Sequence, residues 1–310
     1  MAGMLVMGVD ENGLGPRLGP LVATSLTLET PRYARSALCE RGLRLGLTDS
    51  KETGGFGRMG FTESVAQALL AEGDTCAPRS ADRLLDQVFP EVQPRLKSCC
   101  PNASTAEQCW GIDLELPTFG GDEAFGRDLL ERLVGRSRLR IVDVQSRIAC
   151  AGVLNAKSVS GQNKLAVDLE LFEALIDSVH RRHGAPLLAV CGMVGGIRDY
   201  ASRFGRFDAD RVQQLKARKG QRRYAVEGVG ELRFEVDADA RHLPVALASI
   251  VGKYVREICM RRIGEFYRRG DPELQLASGY HDPVTTRFIR ATELPRRKLG
   301  IAQDCFRRQA

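Results

Sequence analysis

No apolar stretch in this 310-residue chain approaches the roughly 18 residues that a membrane-spanning helix needs. The apolar run at the start is short and ends in Asp10 and Glu11, so nothing resembles a signal peptide and a cytoplasmic location is expected. Paired C-x-x-C spacing is missing too. The nine cysteines, odd in number and irregularly placed, fit free thiols in a reducing compartment better than a disulfide framework. The cluster Cys99, Cys100 and Cys109 likewise reads as free thiols rather than zinc ligands. Internal repeats and low-complexity tracts are absent. With 43% hydrophobic residues, the chain can bury a full core as one large domain or one domain with an appendage.

What is present is a mild basic excess, net charge +6, gathered in two runs. Arg203, Arg206, Arg211, Lys216, Arg218, Lys219, Arg222 and Arg223 are opposed only by Asp208 and Asp210. The tail adds Arg290, Arg296, Arg297, Lys298, Arg307 and Arg308. A charge run is by default a solvated face, but two of them flanking a carboxylate-bearing core point toward a phosphate backbone.

Strand-like apolar segments occur at 4–10, 20–29, 139–149, 186–191 and 231–237. Leu165, Leu169, Phe172, Ile176 and Val179 recur at three- and four-residue steps, which predicts an amphipathic helix over 163–182. A longer helix is predicted from Pro244 to Arg268. Strands with interleaved helices imply an α/β layer around a mixed sheet. The segment 74–137, which holds the only tryptophan, Trp110, reads as an insertion or small subdomain. The tail from 283 to 310 reads as a basic helical extension.

Two constellations carry chemistry. The first is Gly8-Val9-Asp10-Glu11-Asn12-Gly13-Leu14-Gly15-Pro16, with Gly19-Pro20 after it. Here a short buried strand delivers two carboxylates to its end, beside a loop of nearly bare backbone. Burying adjacent anions without partners costs several kcal/mol, so they face solvent or bind cations. Glycine beside them allows another backbone to approach closely. The second constellation is the acidic turn from Glu235 to Asp239 and the helix that follows it. On that helix Ser249, Lys253 and Arg256 share one face, suited to a row of phosphates or simply to a polar outer stripe.

In order along the chain, these motifs resemble ribonuclease HII, the type 2 ribonucleases H. The first constellation and Asp49-Ser50-Lys51 are similar to the family's amino-terminal signature. Asp239-Ala240 and Leu247-Ala248-Ser249-Ile250-Val251-Gly252-Lys253 are similar to its acidic turn and following helix, with the interval from acid to lysine kept. Ser278-Gly279-Tyr280 resembles its Gly-Tyr motif, and Asn163-Lys164-Leu165 suits its helix between the third and fourth strands. The resemblance covers about 1–60 and 139–290.

It implies an RNase H-like α/β fold, a five-stranded mixed sheet flanked by helices, with its core divided over 1–73 and 138–282. It also implies hydrolysis of RNA in RNA–DNA hybrids, or at ribonucleotides embedded in duplex DNA. In the family four carboxylates hold two Mg²⁺ or Mn²⁺ ions, which sit roughly 3.5–4 Å apart in such sites. Carried over, Asp10, Glu11 and Asp239 are catalytic metal ligands, Ser249 and Lys253 approach phosphate, and Tyr280 stacks on a sugar. Gly13, Leu14 and Gly15 form the loop at the RNA–DNA junction.

The chain departs from the family pattern twice. Leu14 stands where the family has a junction-reading arginine, and Arg17 is the nearest substitute in sequence. Cys191 stands where the family has its third carboxylate, and a thiol suits Mg²⁺ poorly. Asp143, Asp199 and Asp237 are candidates to replace it. The competing expectation is therefore a nucleic-acid-binding relative with weak or absent nuclease activity.

Overall fold

The computed structural model describes residues 3–47, 59–72, 76–89, 107–135 and 138–309. The motif Asp49-Ser50-Lys51 and the thiols Cys99 and Cys100 lie outside the described residues.

Seven strands form one sheet: β1 (Met4–Asn12), β2 (Leu21–Thr30), β3 (Arg140–Ala149), β4 (Leu187–Gly192), β5 (Val212–Arg218), β6 (Gln221–Val226) and β7 (Gly230–Glu235). Their order is β3-β2-β1-β4-β7-β6-β5. β4 runs parallel to both β1 and β7, and every other pairing is antiparallel. The class is the expected mixed α/β one, but the sheet has seven strands, not five. The additional pair, β5 and β6, is built from the basic run. β5 is exposed on both faces and carries Lys216 and Arg218, so it shows no apolar alternation to read. Charges on an edge strand also discourage pairing with another chain.

Part of that run is already engaged within the protein. Arg223 and Arg233 both donate to Glu231 Oε1, at 2.6 and 2.7 Å, and Arg222 Nε donates to the carbonyl of Arg198 at 2.9 Å.

The central strands are apolar on both faces because helices cover both. Helix α1 (Arg35–Arg44) follows β2, and α2 (Met59–Leu70), α3 (Ala81–Val88) and α4 (Glu123–Val134) precede β3. The apolar residues of α2, α3 and α4, among them Val65, Leu84, Leu85, Leu129 and Leu130, join one cluster with Val22 and Leu26 of β2. After β3 come α5 (Ala151–Val159) and α6 (Lys164–His183). Asn163 caps α6 by accepting the N–H groups of Leu165 and Ala166, and Gly184 ends it in the left-handed conformation. Leu169, Phe172, Ile176 and Val179 of α6 pack on Leu5, Met7 and Val9 of β1 and on Ala189 and Cys191 of β4.

The opposite face of β1 meets the long helix α8 (Leu243–Arg268), which follows a short helix, α7 (Ala238–Arg241). Gly8 is what permits this approach: a Cβ there would lie 2.1 Å from the Pro244 carbonyl carbon and 2.3 Å from Val245 N. Any side chain at Gly8 would push the start of α8 away from β1.

The tail forms α9 (Pro283–Ala291), α10 (Glu293–Lys298) and α11 (Gln303–Phe306). Phe288 and Phe306 pack with Leu18, Met260 and Tyr267 into an apolar cluster. Arg296 lies buried with its guanidinium 3.8 Å from the Phe306 ring centroid, so it is a packing residue, not a surface cation. No helix among the described residues is long and apolar enough to cross a membrane.

Candidate active site

Parallel pairing sets Val9 of β1 opposite Cys191 of β4, which brings the ends of the two strands side by side. Asp10 and Glu11 converge on Gly192: a Cβ there would sit 3.1 Å from Asp10 Oδ1 and 3.4 Å from Glu11 Oε2. β7 ends beside them at Glu235, and the chain turns through Asp237, at φ 51°, into α7, which carries Asp239.

Glu235 and His242 brace that turn at its two ends. Glu235 Oε2 lies 3.3 Å from His242 Nε2, and Gln221 donates to Glu235 Oε1 at 2.6 Å. On its other side, His242 Nδ1 is 2.8 Å from the Tyr33 hydroxyl. Hydrogen bonding by His242 pulls the Glu235 carboxyl down to about 2.

A cavity of about 880 Å³ opens over these strand ends, lined by Asp10, Glu11, Gly13, Leu14, Asp239, Ser249, Lys253 and Tyr280. Of the nine catalytic and substrate-binding residues carried over from the resemblance, all but Gly15 therefore line a single space. Gly15 lines the neighbouring cavity of about 460 Å³, together with Leu14, Arg17, Asn163, Lys164 and Arg308.

The predicted stripe on α8 divides. Ser249 is buried at the cavity wall and Lys253 is half-buried. Arg256, which the sequence left open between a phosphate contact and a polar outer stripe, is neither: it is 1% exposed and does structural work. Its guanidinium donates to Glu257 at 2.6 Å and to the Ser278 carbonyl at 3.0 Å, and lies 4.8 Å from the Tyr280 ring centroid. Tyr280, 46% exposed, thus presents a ring backed by a fixed cation.

Leu14 packs with Leu21, Leu154 and Val167. Arg17 turns away and donates to Thr286 Oγ1 at 3.1 Å. The guanidinium under the loop belongs to Arg308, which donates to the carbonyls of Gly19, at 2.8 Å, and Gly13. Burial, helped by the charge of Arg256, lowers its pKa to about 9. Nothing local in the sequence announces this contact, since Arg308 and Gly13 are 295 residues apart.

Cys191 is fully buried, and burial, then the charges of Asp168 and Asp10, push its thiol up. None of the three candidate replacements lines the main cavity. Asp143 is held by Arg182 at 2.7 Å, Asp199 accepts the Ala201 N–H at 3.1 Å, and Asp237 makes the left-handed turn.

Sequence reasoning missed Asp168 on α6. Its side chain is 0% exposed, and neither carboxylate oxygen has a hydrogen-bond partner. Burial, then Glu11 and Asp10, raise its carboxyl well above the usual range. The signal was available: Asp168 falls on the apolar stripe of α6, next to Leu165, Leu169 and Phe172.

Among the described residues, no three Asp, Glu, His or Cys side chains are gathered closely enough to hold one metal ion. The carboxylates share a cavity without forming a closed coordination sphere. The donors available are hard oxygens, and one buried carboxylate beside them lacks any partner, so Mg²⁺ or Mn²⁺ fits their chemistry.

Residues 191–308 of the chain match the family model for ribonuclease HII. Among solved structures, the chain is similar to the ribonuclease HII of Archaeoglobus fulgidus in a complex with PCNA. Identity there is 16%, coverage 99% of this chain and 98% of the other, and the TM-score 0.47. Ribonuclease H2 of Pyrococcus horikoshii OT3 is also 16% identical, with 98% and 92% covered and a TM-score of 0.46. Bst-RNase HIII in complex with Mn²⁺ is 14% identical, with 98% and 66% covered and a TM-score of 0.48. No curated protein matches the sequence.

Fold and site together define a mixed α/β protein with an acidic cavity at the ends of its central strands. What the comparisons show is a likeness to ribonuclease HII over residues 191–308.

Proposed function

We propose that this protein is an endonuclease that hydrolyses the RNA strand of RNA–DNA hybrids, leaving 5′-phosphate and 3′-hydroxyl ends. The family match supports a ribonuclease H-like function at the coarser level. The observation that carries the finer reading is the convergence of Asp10, Glu11 and Asp239 with Lys253 and Tyr280 on one cavity beside the glycine loop.

In this reading Asp10, Glu11 and Asp239 hold the divalent cation, Mg²⁺ or Mn²⁺. When bound, such ions supply an activated water and neutralise charge on the phosphate and the leaving oxygen. Lys253 sets an ammonium against the phosphate, and the Ser249 hydroxyl offers a hydrogen bond to it. Tyr280, held from behind by Arg256, stacks on the sugar at the junction. In the same reading the backbone amides at Gly13 and Gly15 sense a 2′-hydroxyl, a contact that needs no side chain at position 14.

Cleavage of a labelled hybrid by the full chain, with Mg²⁺ and with Mn²⁺, tests this reading. Cleavage is expected, and Asp10→Asn should abolish it while hybrid binding persists. One observation favours a second reading: Cys191 supplies no hard ligand. Hybrid binding by a folded parent that cleaves with neither metal would establish a binder and overturn the nuclease.

A further inference from the structure

The cost of a buried charge is the starting point. Asp168 lies in the layer where α6 packs on β1 and β4, next in sequence to Leu169, which shares an apolar cluster with Val9 and Cys191. It is 0% exposed, and neither of its oxygens receives a hydrogen bond. The charges it faces are those of Glu11 and Asp10, both of like sign. Packing gives no reason for an acid at this point in an apolar stripe, where an aliphatic side chain would bury at no such cost.

Three other deeply buried carboxylates each have at least one donor or cation on them. Glu63 accepts three backbone N–H groups, Glu173 accepts those of Gly205 and Arg206, and Asp143 pairs with Arg182. Asp168 has nothing comparable. It also sits beside Cys191, a strand-end position near Asp10 whose side chain is not a hard ligand.

We propose that Asp168, delivered from the helix layer beneath the sheet, supplies the cation-binding carboxylate that Cys191 does not. The site is thus rebuilt, not lost: Asp10 and Glu11 come from β1, Asp239 from α7, and Asp168 from α6. This rests on the proposed metal-dependent function but assigns a ligand that the ordered motifs do not contain. The ligand class is a small hard divalent cation, Mg²⁺ or Mn²⁺, because every donor is a carboxylate.

Mn²⁺ titration of the metal-free full chain, followed by calorimetry and by the electron paramagnetic resonance of free Mn²⁺, tests it. Parent protein should bind, and Asp168→Asn should bind at least about tenfold more weakly, since even groups supporting a ligand typically cost 10–100-fold. Asp143→Asn, a buried acid elsewhere in the fold, should bind Mn²⁺ like the parent. Without metal, Asp168→Asn should melt at or above the parent temperature, and the Mn²⁺-induced rise in melting temperature should shrink. Equal Mn²⁺ affinity in Asp168→Asn overturns the inference and leaves hybrid cleavage standing. Misfolding or a much lower metal-free melting temperature also overturns it, because the carboxylate would then be satisfied within the fold. A parent that neither binds Mn²⁺ nor cuts hybrid overturns this inference and the nuclease reading together.

Discussion

Glu63 on α2 and Asp168 on α6 are both wholly buried carboxylates, and their surroundings are opposite. Glu63 accepts the N–H groups of Thr118 and Phe119, each at 2.7 Å, and of Gly121 at 2.9 Å, with the Tyr254 hydroxyl at 3.2 Å. It is a clamp that ties the 118–121 segment to α2 and α8. Asp168 meets no donor and faces two more carboxylates. The same functional group is therefore spent on stability in one layer and held against stability in another. In the second case, in the rebuilt site proposed, the missing partner is a cation from outside the chain.

The largest expected effect tests the first half of that contrast. Glu63→Ala leaves three buried N–H groups without an acceptor and should cost about 3–5 kcal/mol, as read by denaturant unfolding. A loss below about 1 kcal/mol would mean that water or a neighbour already serves those groups. Next in size, Cys191→Asp adds a second buried acid next to Asp168 and should destabilise the metal-free chain by about 2–4 kcal/mol. Mn²⁺ should restore much of that loss. Unchanged metal-free stability would show that position 191 opens to solvent.

Arg308→Ala extends the comparison to a half-buried cation that has two backbone acceptors. Losing its bonds to the carbonyls of Gly13 and Gly19 should cost about 1–3 kcal/mol. Amide hydrogen exchange across the glycine loop should quicken, and unaltered exchange there would show that the tail does not hold the loop.

The smallest effect concerns Glu235, a buried carboxylate that has a partner in His242. Its folded-state pKa, about 2, lies below the reference 4.5, so its contribution is complete above pH 4.5 and fades as pH falls toward 2. Thermal melts across that window should show a shallower acid loss in Glu235→Gln than in the parent. Parallel curves would remove Glu235 from the acid response.

How much of this was legible in sequence depends on whether a local pattern encodes it. Strands β1, β2, β3, β4 and β7 and the helices α6 and α8 follow from apolar periodicity and capping residues, because each packs an apolar face. β5 and β6 escaped because an exposed, arginine-rich edge has no alternation to reveal it. Asp10, Glu11 and Asp239 stood out as acids at strand and turn ends, where packing gives them no reason to be. Asp168 could have been found by the opposite test, as an acid on a face that packing reserves for aliphatic residues. Arg308 under the loop and Arg256 behind Tyr280 are products of tertiary approach, set by where the tail and α8 come to rest.

The most direct measurement is the anomalous scattering of Mn²⁺ in crystals of the full chain grown with the metal. The account predicts an ion at the ends of β1 and β4 with a carboxylate oxygen of Asp168 in its coordination sphere, at about 2.1–2.2 Å, slightly beyond the Mg²⁺–oxygen distance. An ion bound by Asp10, Glu11 and Asp239 with Asp168 remote from it would contradict the rebuilt site, and a crystal that takes up no Mn²⁺ there would contradict the metal-dependent reading itself.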